Sequence, residues 1–192
     1  MGEIVLAAKI THVPSIWLSE HSKKFQGIRQ NAIDGLVEIG RRANDRKVDT
    51  YVIFDIHWVV NQGFHLNANP EHDGTFTSHE LPHFLNGMDY HFRGDPELAE
   101  KIAELGNARN LRVMAHQVPG LGFEYGTLIP MHHMNSDGSA RVLSIAGNQY
   151  ASIEEGRQFG EAVADAILES DRRVAVLARG SLSHQFWPNH LS

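Results

Sequence analysis

Residues 50–57 read TYVIFDIH. Thr50 to Ile56 is dense in β-branched and aromatic side chains, which fit a pleated, buried surface, and it runs straight into a histidine at position 57. The flanking segments have another period. From about Gly27 to Arg46 the apolar residues Ile28, Ala32, Ile33, Leu36, Val37 and Ile39 fall near helical spacing, with charged residues and Asn between them. Downstream, Asp95-Pro96 supplies an N-cap followed by proline at the first helical position, predicting a helix that ends by about Asn110. Working further outward, Ile4 to Ile10, Leu111 to Ala115, Arg141 to Ala146 and Arg173 to Ala178 read as strands, and Ile153 to Ser170 as an amphipathic helix. Glu154 and Glu155 in the first turn of that helix complement its dipole. Strands alternating with helices of this length predict an α/β fold, a layered α/β/α arrangement around a central mostly parallel or mixed sheet.

Composition narrows what such a fold could do. A chain of 192 residues with 42% hydrophobic and 21% charged residues buries a real core as a single domain, residues 1–192. Its net charge of −6 leaves no excess of Lys and Arg to neutralise phosphates, so nucleic acid and anionic membrane are not expected partners. No apolar run approaches the roughly 18 residues that span a bilayer. Glu3 and Lys9 interrupt the first apolar stretch, which is unlike a signal peptide, and a cytoplasmic location follows by default. There is no cysteine, so any metal must be held by His, Asp or Glu.

Histidine is the over-used residue, with 13 scattered from His12 to His190. Four of them, His12, His57, His116 and His184, each follow a strand directly or within a few residues. In open α/β sheets ligands bind beyond the carboxyl ends of the strands. If these strands are parallel, the four imidazoles converge on one rim. Two His and one carboxylate around open positions form the non-haem Fe(II) oxygenase pattern, and a further unligated His could move protons near neutral pH. Read from spacing alone, the same histidines fit scattered structural positions equally well, because there is no compact HExxH.

The words around these residues carry more. Ala8-Lys9-Ile10-Thr11-His12-Val13-Pro14-Ser15, Phe54-Asp55-Ile56-His57-Trp58 and Gly180-Ser181-Leu182-Ser183-His184 together resemble the class III (LigB-type) extradiol ring-cleavage dioxygenases. Thr77-Ser78-His79-Glu80-Leu81-Pro82-His83-Phe84 and Glu124-Tyr125-Gly126-Thr127-Leu128-Ile129-Pro130-Met131 are similar to the branch acting on 3,4-dihydroxyphenylacetate (homoprotocatechuate). The likeness runs in order from about residue 3 to His184.

That resemblance implies extradiol cleavage of a catechol with O2 and non-haem Fe(II). His12 and His57 match the two histidine ligands, and His184 matches the acid–base histidine. The third ligand of the family, a glutamate, is expected beyond residue 192, so the chain reads as the front two-thirds of such an enzyme, lacking its C-terminal part. Were the chain complete, Glu124 or another internal carboxylate would have to serve. Many members carry Asp-His-Gly where Glu124-Tyr125-Gly126 stands, and the homoprotocatechuate branch shares the Glu-Tyr-Gly form. Tyr125 and His116 are candidates for substrate contact, and Asp55, two residues before His57, for a group behind the metal-bound ring. His79 and His83 fall in what reads as a long loop from Asn69 to Asp95, and His132-His133 near a helix start. A homo-oligomer is expected by analogy with the family. The competing readings are a related enzyme opening another diol or an aminophenol ring, a zinc enzyme of non-oxidative chemistry, and a non-catalytic LigB-like subunit.

Overall fold

The computed structural model describes residues 1–180. In chain order the elements are β1 (Glu3–Ile10), α1 (Ser15–His21), α2 (Gln30–Asp45), β2 (Thr50–Val60), β3 (Phe64–Asn67), β4 (Glu71–Phe76), β5 (Met88–Arg93), α3 (Pro96–Ala108), β6 (Val113–His116), α4 (Tyr125–Met134), β7 (Arg141–Asn148), α5 (Ile153–Glu169) and β8 (Arg173–Arg179). The main sheet has the strand order β1-β8-β2-β7-β3-β6, and β4 and β5 form a separate antiparallel pair.

Strands β1, β8, β2 and β7 are mutually parallel, while β3 runs antiparallel to β7 and parallel to β6. The sheet is therefore mixed, and its layers follow from the two-residue period of the central strands. Tyr51 and Ile53 of β2 and Ala175 and Leu177 of β8 face one core, with Ile33 and Leu36 of α2 and Leu128 and Met131 of α4. Val52 and Val174 face the other, with Leu98 and Ile102 of α3 and Phe159, Val163 and Ile167 of α5. A parallel sheet covered on both faces needs such continuous apolar strands, which is why TYVIFDI could be recognised.

The helix ends obey local chemistry. Asp95 accepts a hydrogen bond from the Leu98 N–H ahead of Pro96. Ser152 and Glu155 form a reciprocal capping box at the start of α5.

Several expectations are corrected. The helix read from Gly27 begins only at Gln30, because residues 27–29 form turns. The segment from Asn69 to Asp95 is no plain loop: the β4–β5 hairpin occupies most of it and buries Met88 and Phe92 in the first core. His132 and His133 lie in the last turn of α4, not at its start. His57 does not follow its strand but sits within it, since β2 continues to Val60.

The common-rim argument fails for His116. β6 runs opposite to β1, β2 and β8, so its carboxyl end points the other way. The short strand β3, absent from the sequence reading, introduces that reversal.

Candidate active site

His12 and His57 meet at the carboxyl-end rim of β1 and β2, their Nε2 atoms 2.9 Å apart. His12 is buried at 7% exposure, just beyond the end of β1. His57 reaches the rim through an irregularity. Asp55 pairs with Ala146 and Val59 with the next residue, Gly147, so Ile56, His57 and Trp58 of β2 oppose nothing on β7. Such a bulge frees backbone N–H groups and re-aims side chains. Gly147 makes room for it, since a Cβ there would lie 3.1 Å from the Asp55 carbonyl oxygen.

Asp55 takes up the freed donors. Its Oδ1 accepts the N–H of His57 at 2.7 Å and that of Trp58 at 3.4 Å, and its Oδ2 accepts the Thr127 hydroxyl at 2.6 Å. The Arg179 guanidinium forms an ion pair with the same carboxylate, and both side chains have zero exposure. Asp55 thus contacts His57 through the backbone N–H.

Tyr125, the first residue of α4, lays its ring 4.0 Å from the His57 ring and 6.1 Å from that of His12. Burial and the nearby carboxylates Glu80, Glu124 and Asp55 push the Tyr125 phenol up to about 12, so it stays protonated at neutral pH and can donate a hydrogen bond. Burial, Asp55 and Glu80 likewise raise the Glu124 carboxyl above its ordinary value, partly opposed by His79. The segment carrying His79 and Glu80 therefore lies within electrostatic reach of the start of α4.

His116 pairs with His65, Nε2 to Nδ1 at 2.8 Å, instead of joining His12 and His57. His184 lies outside the described residues. Among the described residues no group of three or more His, Asp or Glu side chains is placed to hold a metal ion, so Glu124 does not complete a ligand set there.

Comparison with known proteins decides the family. The family described as the catalytic LigB subunit of aromatic ring-opening dioxygenase matches residues 6–192. The chain belongs to the LigB family. It is similar to the 3,4-dihydroxyphenylacetate 2,3-dioxygenase of Escherichia coli, with 46% identity over 189 residues covering 97% of the chain and 68% of that protein. It is also similar to a 2-aminophenol 1,6-dioxygenase beta subunit of a Pseudomonas species, at 27% identity over 98% of the chain and 65% of that subunit. The LigB chain thus spans about two thirds of the length of these relatives. Among solved structures, an uncharacterized protein of Escherichia coli K12 superposes with a TM-score of 0.58 at 17% identity, over 80% of the chain and 54% of that protein, a likeness of fold alone.

LigB extradiol dioxygenases are generally iron enzymes, and the donor set suits an iron ion. Neutral imidazole is a good ligand for iron, and His12 and His57 would hold the ion between ring nitrogens that lie 2.9 Å apart. The same separation suits an N–H···N hydrogen bond between the rings. On ion binding both Nε2 atoms must present lone pairs, which places each ring proton on Nδ1.

Reading the sequence missed Arg179 and Thr127 in this site. A signal for Arg179 was present, because alternation from Ala175 and Leu177 carries position 179 onto the same face as Tyr51, Ile53 and Asp55. A lone Arg ending an otherwise apolar inward series, beside a lone Asp ending another, marks a buried pair. Thr127 carried no such signal, since its role depends on how α4 lies over β2.

Proposed function

We propose that this LigB chain provides the two-histidine side of an extradiol catechol dioxygenase that opens 3,4-dihydroxyphenylacetate with O2 and Fe(II). The approach of His12 and His57 above a buried Asp55 carries the reading, and the 46% identity to the Escherichia coli enzyme supports the substrate. His12 and His57 would hold the ion, with a glutamate beyond residue 192 as third ligand and positions left for substrate. Bound Fe(II) supplies a template and electron conduit that brings diol and O2 together.

The chain's own residues set the conditions for that chemistry. Asp55 fixes the backbone of His57 and so the aim of its ring. Tyr125, protonated and against His57, directs a hydroxyl donor toward a substrate oxygen. The burial of His12 and Tyr125 keeps water from the reacting groups. His184 acts as acid and base, taking a catechol proton and returning one during ring opening, a role worth on the order of 10² to 10⁴ in rate. Both oxygen atoms of O2 enter the product, a muconic semialdehyde. His116, already bonded to His65, is assigned no contact with substrate. A homo-oligomer is the proposed working state, since among the described residues β1 ends the sheet with only β8 beside it.

The test is anaerobic reconstitution with Fe(II), then addition of O2 with 3,4-dihydroxyphenylacetate, other catechols or 2-aminophenol. A yellow ring-opened product from 3,4-dihydroxyphenylacetate, lost in His12→Ala and His57→Ala, is expected. Product from 2-aminophenol alone would move the chain to aminophenol cleavage. No product from any ring, in protein loaded with iron, would overturn the proposal.

A further inference from the structure

Arg179 stands at the junction of the two halves of the site. Phe54 of β2 pairs with Ala178 of β8, so Asp55 and Arg179 follow as cross-strand neighbours where that pairing ends, both turned toward α4. On one side the guanidinium pairs with Asp55, which holds the N–H groups of His57 and Trp58. On the other it fills the space beside Gly126: a Cβ there would lie 2.0 Å from Nη1 and 2.5 Å from Cζ. Gly126 follows Tyr125 directly, and the Tyr125 ring lies tilted against that of His57, centroids 4.0 Å apart. One planar group therefore separates the backbone carrying His57 from the backbone carrying Tyr125.

Stability does not account for this arrangement. A buried ion pair is often matched or bettered by apolar residues of similar volume, because desolvating two charges offsets their attraction. Among the described residues none of the three guanidinium nitrogens makes a hydrogen bond of good geometry, so the ion pair with Asp55 is its polar contact. Burial pushes the guanidinium's pKa down, and Asp55 opposes that shift.

We propose that Arg179 is a positioning residue for metal binding: wedged between Asp55 and Gly126, it sets the aim of His57 and the distance from His57 to Tyr125. This rests on the reading of His12 and His57 as metal ligands. Lys in place of Arg179 keeps a charge beside Asp55 but loses the planar body that fills the Gly126 cradle. Ala at position 126 keeps the arginine but drives it out of the cradle. Both changes relax the bulge at His57 without touching a ligand.

The experiment uses the full chain, with melting temperature of the metal-free protein and anaerobic Fe(II) affinity by calorimetry as separate readouts. Arg179→Lys and Gly126→Ala are each expected to weaken Fe(II) binding by about 10- to 100-fold, as loss of a partner behind a metal ligand does. The double variant should bind no more weakly than the worse single one, because both act through one contact. A purely structural role would move the melting temperature and leave the affinity of the folded protein alone. Affinity within about twofold of the unsubstituted protein in folded Arg179→Lys, against that expected loss, overturns the proposal. Should Gly126→Ala fail to fold, Arg179→Lys decides alone. His12→Ala separates the two levels. If it abolishes binding while Arg179→Lys keeps affinity within about twofold, the ligand reading stands and the role of Arg179 falls. If it retains binding, the ligand reading falls and takes this proposal with it.

Discussion

Among the described residues two pairs of histidines bring ring nitrogens within hydrogen-bond distance, and they differ in what lies behind them. His12 and His57 meet at 2.9 Å, and His65 and His116 at 2.8 Å. In the second pair His65 donates Nε2–H to the Gln62 carbonyl at 3.0 Å, which leaves its Nδ1 to accept from His116 Nε2. That pair is half-buried, and burial together with His65 lowers the pKa of His116. Three of its four ring nitrogens are engaged in these two bonds, which close the β3–β6 edge. The first pair stands on a fully buried Asp55–Arg179–Thr127 cluster whose bonds go to the backbone of His57 and not to its ring. Nearly equal distances thus conceal opposite chemistry: one pair is spent on itself, and the other is held in place from beneath.

The largest expected effect breaks the comparison directly. His57→Ala should weaken Fe(II) binding by more than the roughly 100-fold that loss of an outer partner can cost. His116→Ala should leave metal affinity unchanged and cost about 0.5–1.5 kcal/mol of stability for its hydrogen bond. Calorimetry on the two variants checks this, and comparable losses of affinity would erase the distinction.

Next, Asp55→Asn leaves the Arg179 cation buried without its carboxylate, a loss of about 3–5 kcal/mol read as a lower denaturation midpoint at unchanged slope. A cost under about 1 kcal/mol, the range of an exposed ion pair, would mean the cluster beneath His57 is wetter than described.

The smallest effect sharpens the contrast with a third kind of histidine. His72 is 3% exposed, and neither ring nitrogen has a hydrogen-bond partner among the described residues. Burial lowers its pKa from 6.5 to about 4. Below pH 6.5 the unfolded chain binds a proton there that the folded chain refuses until about pH 4, so stability falls as the pH drops through that window. The loss is at most about 3 kcal/mol. His133, lowered to about 4 by burial and by His132, adds to the same acid limb. Denaturation at neutral and acid pH should show a shallower limb in His72→Leu, with the share of His133 remaining. An unchanged limb would mean that His72 takes up its proton without disturbing the hairpin.

Much of this frame was legible before any coordinates. β2 stood out because Tyr51 to Phe54 is packed on both faces, and α3 because Asp95-Pro96 spells its own start. His12 and His57 were found through the words around them, since they are 45 residues apart and share no local spacing. The illegible parts depend on tertiary context. β3 has four residues, too few for a period to emerge, and without it the reversal that removes His116 from the rim could not be foreseen, although the strand leading to His116 was read. The strands of the β4–β5 hairpin, EHDGTF and MDYHFR, are too polar to announce themselves. The ion pair of Asp55 with Arg179 spans 124 positions, and parity suggests only the face on which each lies, whereas register makes them neighbours.

The unpaired stretch at residues 56–58 also bears on how this protein can vary. On either side of it β2 keeps its own alignment with β7, so the sheet reads β2 as two short rods joined by slack cord. A residue gained or lost in the cord would change the reach of the imidazole while both rods kept their places. Anywhere else along β2 the same change would turn every following side chain to the wrong face. The segment bearing His57 is thus the one stretch of this strand whose length can drift without cost to the core.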